Sequence, residues 1–177
     1  VFAAGDTDSQ NVAEVTTVAT YSATDADGTA TLTYSITGGT DSDLFSINSA
    51  TGALTFSSAP DYENPGCGAG DDSNTCTVVL TVSDGTNTDT ITVTATVTDL
   101  NEHSPVFSAG SASAVNVAEG STAVGTYTAP DSDGTATQTY SIVSAGTDAA
   151  SVDHDLFTVN AGTGALTFSS APDSETP

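Results

Sequence analysis

Residues 89–107 read DTITVTATVTDLNEHSPVF, and two patterns meet in them. Up to Thr98 apolar and hydroxyl side chains alternate. Ile91, Val93, Ala95 and Val97 share one face and Thr90, Thr92, Thr94 and Thr96 the other, the period-two signature of a half-buried strand. From Asp99 the alternation stops. Asp99, Asn101 and Glu102 precede Pro105, and the Val106-Phe107 that follows repeats the Val1-Phe2 with which the chain opens. Other segments recur in the same order. Residues 11–14 (NVAE) return as 116–119, 25–28 (DADG) as 131–134 (DSDG), and 51–60 (TGALTFSSAP) as 163–172. Segments repeated in order mark an array unit, whose fold is read per unit. Repeat one spans 1–105 and repeat two 106–177.

Alternation elsewhere gives the same element type. In residues 29–36, Ala30, Leu32, Tyr34 and Ile36 share a face against threonines and a serine, and residues 77–82 (TVVLTV) form another strand. Short strands over 44–47 and 53–56 flank a turn at 48–52 (NSATG). No helical period is present. Short strands with frequent glycine turns predict an all-β chain of tandem antiparallel Greek-key β-sandwiches. Repeat two carries extra residues between Ile142 and Leu156 and one more between Glu119 and Tyr127, insertions that surface loops accept cheaply. It stops at Pro177, the counterpart of Pro65, without counterparts of residues 77–98. A sandwich lacking those strands would leave an open edge. They are therefore expected in a longer parent protein, or from a neighbouring chain. The chain has no methionine, even at position 1, which also predicts a piece of something longer.

Composition narrows the function. There is no Lys or Arg, against 23 acidic residues and a formal charge of −23. Such a surface repels nucleic acid and anionic lipid, which excludes both as partners, and no run of 18 apolar residues predicts membrane insertion. Clear strand patterning at 37% hydrophobic content argues against a disordered acidic tail. Binding cations is the remaining way to live with the charge. Cys67 and Cys76 lie in one loop of repeat one and have no second Cys or His pair beside them, so a structural zinc site is excluded. They form a local disulfide or a free, inert pair. An extracellular compartment favours the disulfide.

The acidic residues recur with the repeat, and together they resemble tandem cadherin repeats of the bacterial kind over the whole chain. The family pattern is a Glu on the first strand, D-x-D, D-x-E, an acidic residue near the end of the penultimate strand, and a D-x-N-D-N-x-P linker. This sequence supplies Glu14, Asp25 and Asp27, Asp61 and Glu63, Asp84, and the run 99–105 (DLNEHSP). The linker departs twice, with Glu102 where the family has Asp and His103 where it has Asn. The resemblance implies calcium bound between successive repeats. Carried over, the complete set is Glu14, Asp61, Glu63, Asp99, Asn101 and Glu102 from repeat one with Asp131 and Asp133 from repeat two, plus the carbonyls of Leu100 and His103. Asp25, Asp27 and Asp84 would serve a preceding repeat, and Glu119, Asp173 and Glu175 a following one.

The donor chemistry agrees, since calcium takes six to eight hard oxygen ligands whereas magnesium prefers to keep its waters. An EF-hand at Asp25–Gly28 fails for want of its terminal Glu and flanking helices. Neither His103 nor His154 has the neighbours of a zinc ligand. Catalysis is not expected, because no nucleophile elbow, phosphate loop or metal-hydrolase motif is present. The reading is a calcium-rigidified structural and adhesive module of a long extracellular or surface protein, acting in filament assembly, cell adhesion or as a stalk. Its partners would be neighbouring repeats or copies of itself, with a cell-surface protein or polysaccharide also open. The alternative is a carbohydrate-binding module. It has no Trp, and Tyr21, Tyr34, Phe45 and Phe56 fall at core-like positions, leaving Tyr62 as a candidate exposed ring.

Overall fold

The computed structural model describes residues 1–28, 30–70, 72–110, 113–134, 137–143 and 152–175. They divide into two compact units, Val1–Leu100 and Asn101–Pro177.

Unit 1 grows from the hairpin of β6 (Thr75–Ser83) and β7 (Thr88–Thr98). Both strands alternate strictly. Cys76, Val78, Leu80 and Val82 of β6 and Ile91, Val93, Ala95 and Val97 of β7 are buried, while the residues between them are not. The antiparallel register sets Val78 opposite Val93 and Leu80 opposite Ile91, so one face of the ribbon is continuously apolar. Each fully buried aliphatic side chain there contributes about 1.5–3 kcal/mol of transfer free energy. β3 (Thr33–Gly38) extends the ribbon beside β6, and β1 (Thr7–Ala13) closes the other side beside β7. The β1–β7 pairing is parallel, an exception within the predicted antiparallel architecture. Across the core lies a second sheet in the order β2-β5-β4, from β2 (Thr17–Thr20), β4 (Phe45–Ile47) and β5 (Ala53–Phe56). It contributes Leu54, Phe45 and Phe56, with the two phenylalanine rings stacked at 4.5 Å. The result is a β-sandwich.

The expected strand over 29–36 starts late. Thr29 lies outside the described residues, and β3 begins at Thr33 because Ser83, its partner there, is the last residue of β6. Beyond Ile36 a register shift carries β3 on to Gly38.

Unit 2 contains β8 (Ala123–Thr126), β9 (Phe157–Val159) and β10 (Ala165–Phe168) in the order β8-β10-β9. This repeats the order β2-β5-β4, and the details repeat with it. Phe157 and Phe168 stack at 4.6 Å. The turn before β5 is held by Asn48 Oδ1, which accepts Ala50 and Thr51 N–H groups, and the turn before β10 by Asn160 Oδ1, which accepts those of Gly162 and Thr163. Each turn ends on a glycine at positive φ, Gly52 at 72° and Gly164 at 70°. A Cβ there would collide with the carbonyl oxygen of Tyr21 or Tyr127. Most of the longer connection predicted between Ile142 and Leu156, residues 144–151, lies outside the described residues.

Candidate functional site

The carboxylates gather where strands end. Glu14 follows β1, Asp61 and Glu63 sit on the loop after β5, and Asp99 and Leu100 follow β7. Glu14 ties these ends together. Its Oε1 accepts the Tyr62 N–H at 2.7 Å and its Oε2 the Leu100 N–H at 2.8 Å. Asp61 folds its own loop by accepting the Asn64 N–H at 2.9 Å. One carboxylate oxygen each from Glu14, Asp61 and Glu63 then lie within 4.8 Å of one another, Glu14 and Glu63 half-buried and Asp61 exposed. Asp99 is half-buried and Leu100 exposed.

Unit 2 builds the same arrangement from the equivalent residues. Glu119, Asp173 and Glu175 also bring one oxygen each within 4.8 Å. Ser174 Oγ donates to Glu119 Oε2 at 3.1 Å, and the Glu175 N–H to Asp173 Oδ1 at 3.0 Å.

Asp133 is the surprise of unit 2. It is buried, 4% exposed, and both its oxygens meet His103: the backbone N–H donates to Oδ2 at 2.9 Å, and Nδ1 lies 2.7 Å from Oδ1. Burial pushes the Asp133 carboxyl up, but the hydrogen bonds from the His103 ring and backbone outweigh it, leaving the group below its ordinary value. The sequence reading gave His103 only a carbonyl role; its ring is in fact engaged. Glu102, His103 and Asp133 each place a donor atom within 4.8 Å of the others. Asp131 accepts the Asp133 N–H at 3.4 Å, and Asn101 is exposed.

Of the remaining candidates, Asp25 and Asp84 line one depression of about 390 Å³ in unit 1 together with Asp89. Asp84 accepts N–H groups of Thr86 and Asn87 at 2.7 and 2.6 Å. The Asn87 and Thr86 backbone bonds hold its carboxyl below the ordinary value. Asp27 is not among the lining residues; its N–H donates to Asp25 Oδ1 at 3.1 Å.

Sequence reasoning missed three polar side chains that shape this end of unit 1 or its core. Asp41, 4% exposed, accepts the Gly68 and Thr77 N–H groups at 2.6 and 2.7 Å. Asn74 donates through Nδ2 to the Tyr62 carbonyl at 2.9 Å. Asp8 accepts the Tyr21 hydroxyl at 2.8 Å. None stands in a motif. Cys67 and Cys76 are joined by a disulfide, which settles the two alternatives. Tyr21, Tyr34, Phe45 and Phe56 are core residues, whereas Tyr62 is 38% exposed.

Charge makes these clusters costly. The chain has no Lys or Arg; contacts between a histidine ring and a carboxylate include His103–Asp133 at 2.7 Å and His154–Asp155 at 3.0 Å. No helix of the described residues is long and apolar enough to cross a membrane.

A family model for the cadherin domain matches residues 9–104, more than half of the chain. No curated protein sequence matches it. Among solved structures, human protocadherin-24 EC1-2 superposes with a TM-score of 0.68 at 22% identity, over 96% of this chain and 76% of that one. Mouse cadherin-23 EC22-24 gives 0.69 at 23% identity, over 94% and 52%. Drosophila N-cadherin EC1-4 gives 0.65 at 18% identity, over 95% and 40%. At these identities the likeness to the solved structures establishes the fold. The family match adds the class, for cadherin domains are extracellular structural and adhesive modules and not enzymes. Sandwich topology, recurring carboxylates and the match over 9–104 agree, and the chain belongs to the cadherin-domain family.

Proposed function

We propose that this chain is a calcium-rigidified structural and adhesive module of a long extracellular protein, built to extend, space or assemble. The observation that carries the reading is one donor set occurring once per unit, Glu14/Asp61/Glu63 and Glu119/Asp173/Glu175, each converging within 4.8 Å. All six donors are hard carboxylate oxygens, the chemistry calcium takes, so the residues fit the ion. Two carboxylates about 4 Å apart repel by about 1 kcal/mol in water and several times more where solvent is partly excluded. A dication reverses that sign and ties together strand ends that otherwise repel. Asp99, Asn101, Glu102, Asp131, Asp133 and the carbonyls of Leu100 and His103 are the further donors on this reading, while Asp25, Asp27 and Asp84 await a preceding repeat. The partners are neighbouring repeats or copies of the same chain, in filament assembly, adhesion or a stalk. Carbohydrate binding has less support, because Tyr21, Tyr34, Phe45 and Phe56 are spent in the core.

Thermal unfolding in chelator, in millimolar calcium and in millimolar magnesium tests the reading. At a calcium concentration 100 times the dissociation constant, binding adds about 2.7 kcal/mol, which raises Tm by roughly 10–20 °C for a domain of this size. Magnesium should do much less. A Tm unmoved by calcium would reduce the carboxylates to a solvated acidic face.

A further inference from the structure

Residues 57–74 link β5 to β6 and carry no sheet strand among the described residues. A connection of that length is uncommon in a compact domain unless it does something. This one presents Asp61 and Glu63 at its start and the disulfide at its end. Between them runs an unbroken set of bonds. Cys67 and Ser73 exchange two backbone hydrogen bonds at 3.0 Å each. The disulfide joins Cys67 to Cys76 of β6, with both cysteines buried. Asp41 clamps the same loop through the Gly68 and Thr77 N–H groups. Asn74 stands at the end of this knot. Its carbonyl accepts the Val97 N–H of β7 at 2.7 Å, and its Nδ2 donates to the Tyr62 carbonyl. The Tyr62 N–H in turn donates to Glu14. The peptide between the two candidate donors Asp61 and Glu63 is thus tied at both its N–H and its carbonyl.

We propose that the Cys67–Cys76 disulfide and Asn74 form a positioning brace that holds Asp61 and Glu63 against Glu14, so that the cation affinity of this group depends on the disulfide. The proposal rests on the calcium reading above. Its physical basis is preorganisation. A loop already ordered when the ion arrives loses less conformational entropy on binding, and outer partners of metal ligands typically govern about 10- to 100-fold in affinity. Cys67 and Cys76 are the only cysteines, so the Glu119/Asp173/Glu175 group stands outside the brace and serves as an internal control.

The test is calcium titration calorimetry on the full chain carrying Glu175→Gln, which weakens the control group and leaves the unit 1 group as reporter. It is run on the oxidised protein, on protein reduced with excess dithiothreitol, and on Asn74→Ala and Cys67→Ala/Cys76→Val. In the reduction two protein thiols form as the reagent closes to its cyclic disulfide. The double variant keeps an apolar pair in the core without the covalent tie. Amide exchange at Tyr62, read by NMR in chelator well below Tm, accompanies each titration. Each perturbation should lower calcium affinity by about tenfold and speed Tyr62 exchange, while the parent chain shows no loss of Glu119/Asp173/Glu175 binding on reduction. Unchanged affinity in reduced protein and in Asn74→Ala, with the oxidised protein binding normally, overturns the brace alone. An oxidised parent chain that binds no calcium overturns the calcium reading and the brace with it.

Discussion

Asp41→Ala should be the most damaging single change to a carboxylate in unit 1, although removing any negative charge from a chain of −23 relieves repulsion. Asp41 is 4% exposed and its two oxygens accept the Gly68 and Thr77 N–H groups at 2.6 and 2.7 Å. Hydrogen bonds to a charged group contribute about 1.5–3 kcal/mol each, and truncation also strands the donors. The expected cost is therefore about 3–6 kcal/mol, less a few tenths recovered from relieved repulsion. For a domain of this size 1 kcal/mol moves Tm by about 4–8 °C, so unit 1 should melt at least about 10 °C lower. Asp41→Asn retains one acceptor and should lose about half as much. Asp43→Ala, two residues on and free of this duty, should be neutral or slightly stabilising. Thermal unfolding followed by circular dichroism in chelator separates the three. An Asp41→Ala chain melting within 2 °C of the parent, or indistinguishable from Asp43→Ala, would refute the claim that this carboxylate holds the disulfide loop to the sheet.

Two other expectations follow from the geometry. Gly52→Ala and Gly164→Ala each force a Cβ into a left-handed position and onto a carbonyl oxygen. Each should cost at least about 2 kcal/mol by thermal unfolding, whereas Gly5→Ala, at φ 83° with nothing within 4 Å, should cost only the backbone term. The Asp8–Tyr21 bond gives a pH profile. The Gln10 side chain, then Tyr21, hold the Asp8 carboxyl below its ordinary 3.8 against the upward push of burial. Burial and Asp8 together push the Tyr21 phenol above its ordinary 10.0. The Asp8 contribution is fully present above the unfolded value and is lost as pH falls through the lowered one. The Tyr21 contribution is fully present below about pH 10 and is lost as pH rises further. Chemical unfolding across pH should show both losses, and Asp8→Asn should flatten the acid one. An acid limb unchanged in that variant would contradict the assignment.

What the sequence made legible is what local chemistry decides. β6 and β7 could be read almost residue by residue because every second side chain is apolar and the register then has one solution. The carboxylate groups were legible because repetition in order picked them out. β1 was not, since TDSQNVA offers little but Val12 to a core; its place is set by parallel hydrogen bonds to β7, a long-range event that periodicity does not record. β3 began late because its partner strand ended. The His103 ring was missed for a related reason, as the family comparison assigned that position a carbonyl, and only the fold brings a buried Asp133 against its Nδ1. Asn74 and Asp41 carry no local signal, because their partners lie 12 residues away at Tyr62 and 27 and 36 away at Gly68 and Thr77.

The most direct test of the central claim is calcium titration calorimetry of the chain beside Glu63→Gln and Glu175→Gln, one change in each recurring group. The account predicts saturable calcium binding to the parent, weakened about tenfold or more at one class of sites by each substitution and at both classes by the pair. Absent heat in the parent, or binding that neither substitution weakens, would contradict it.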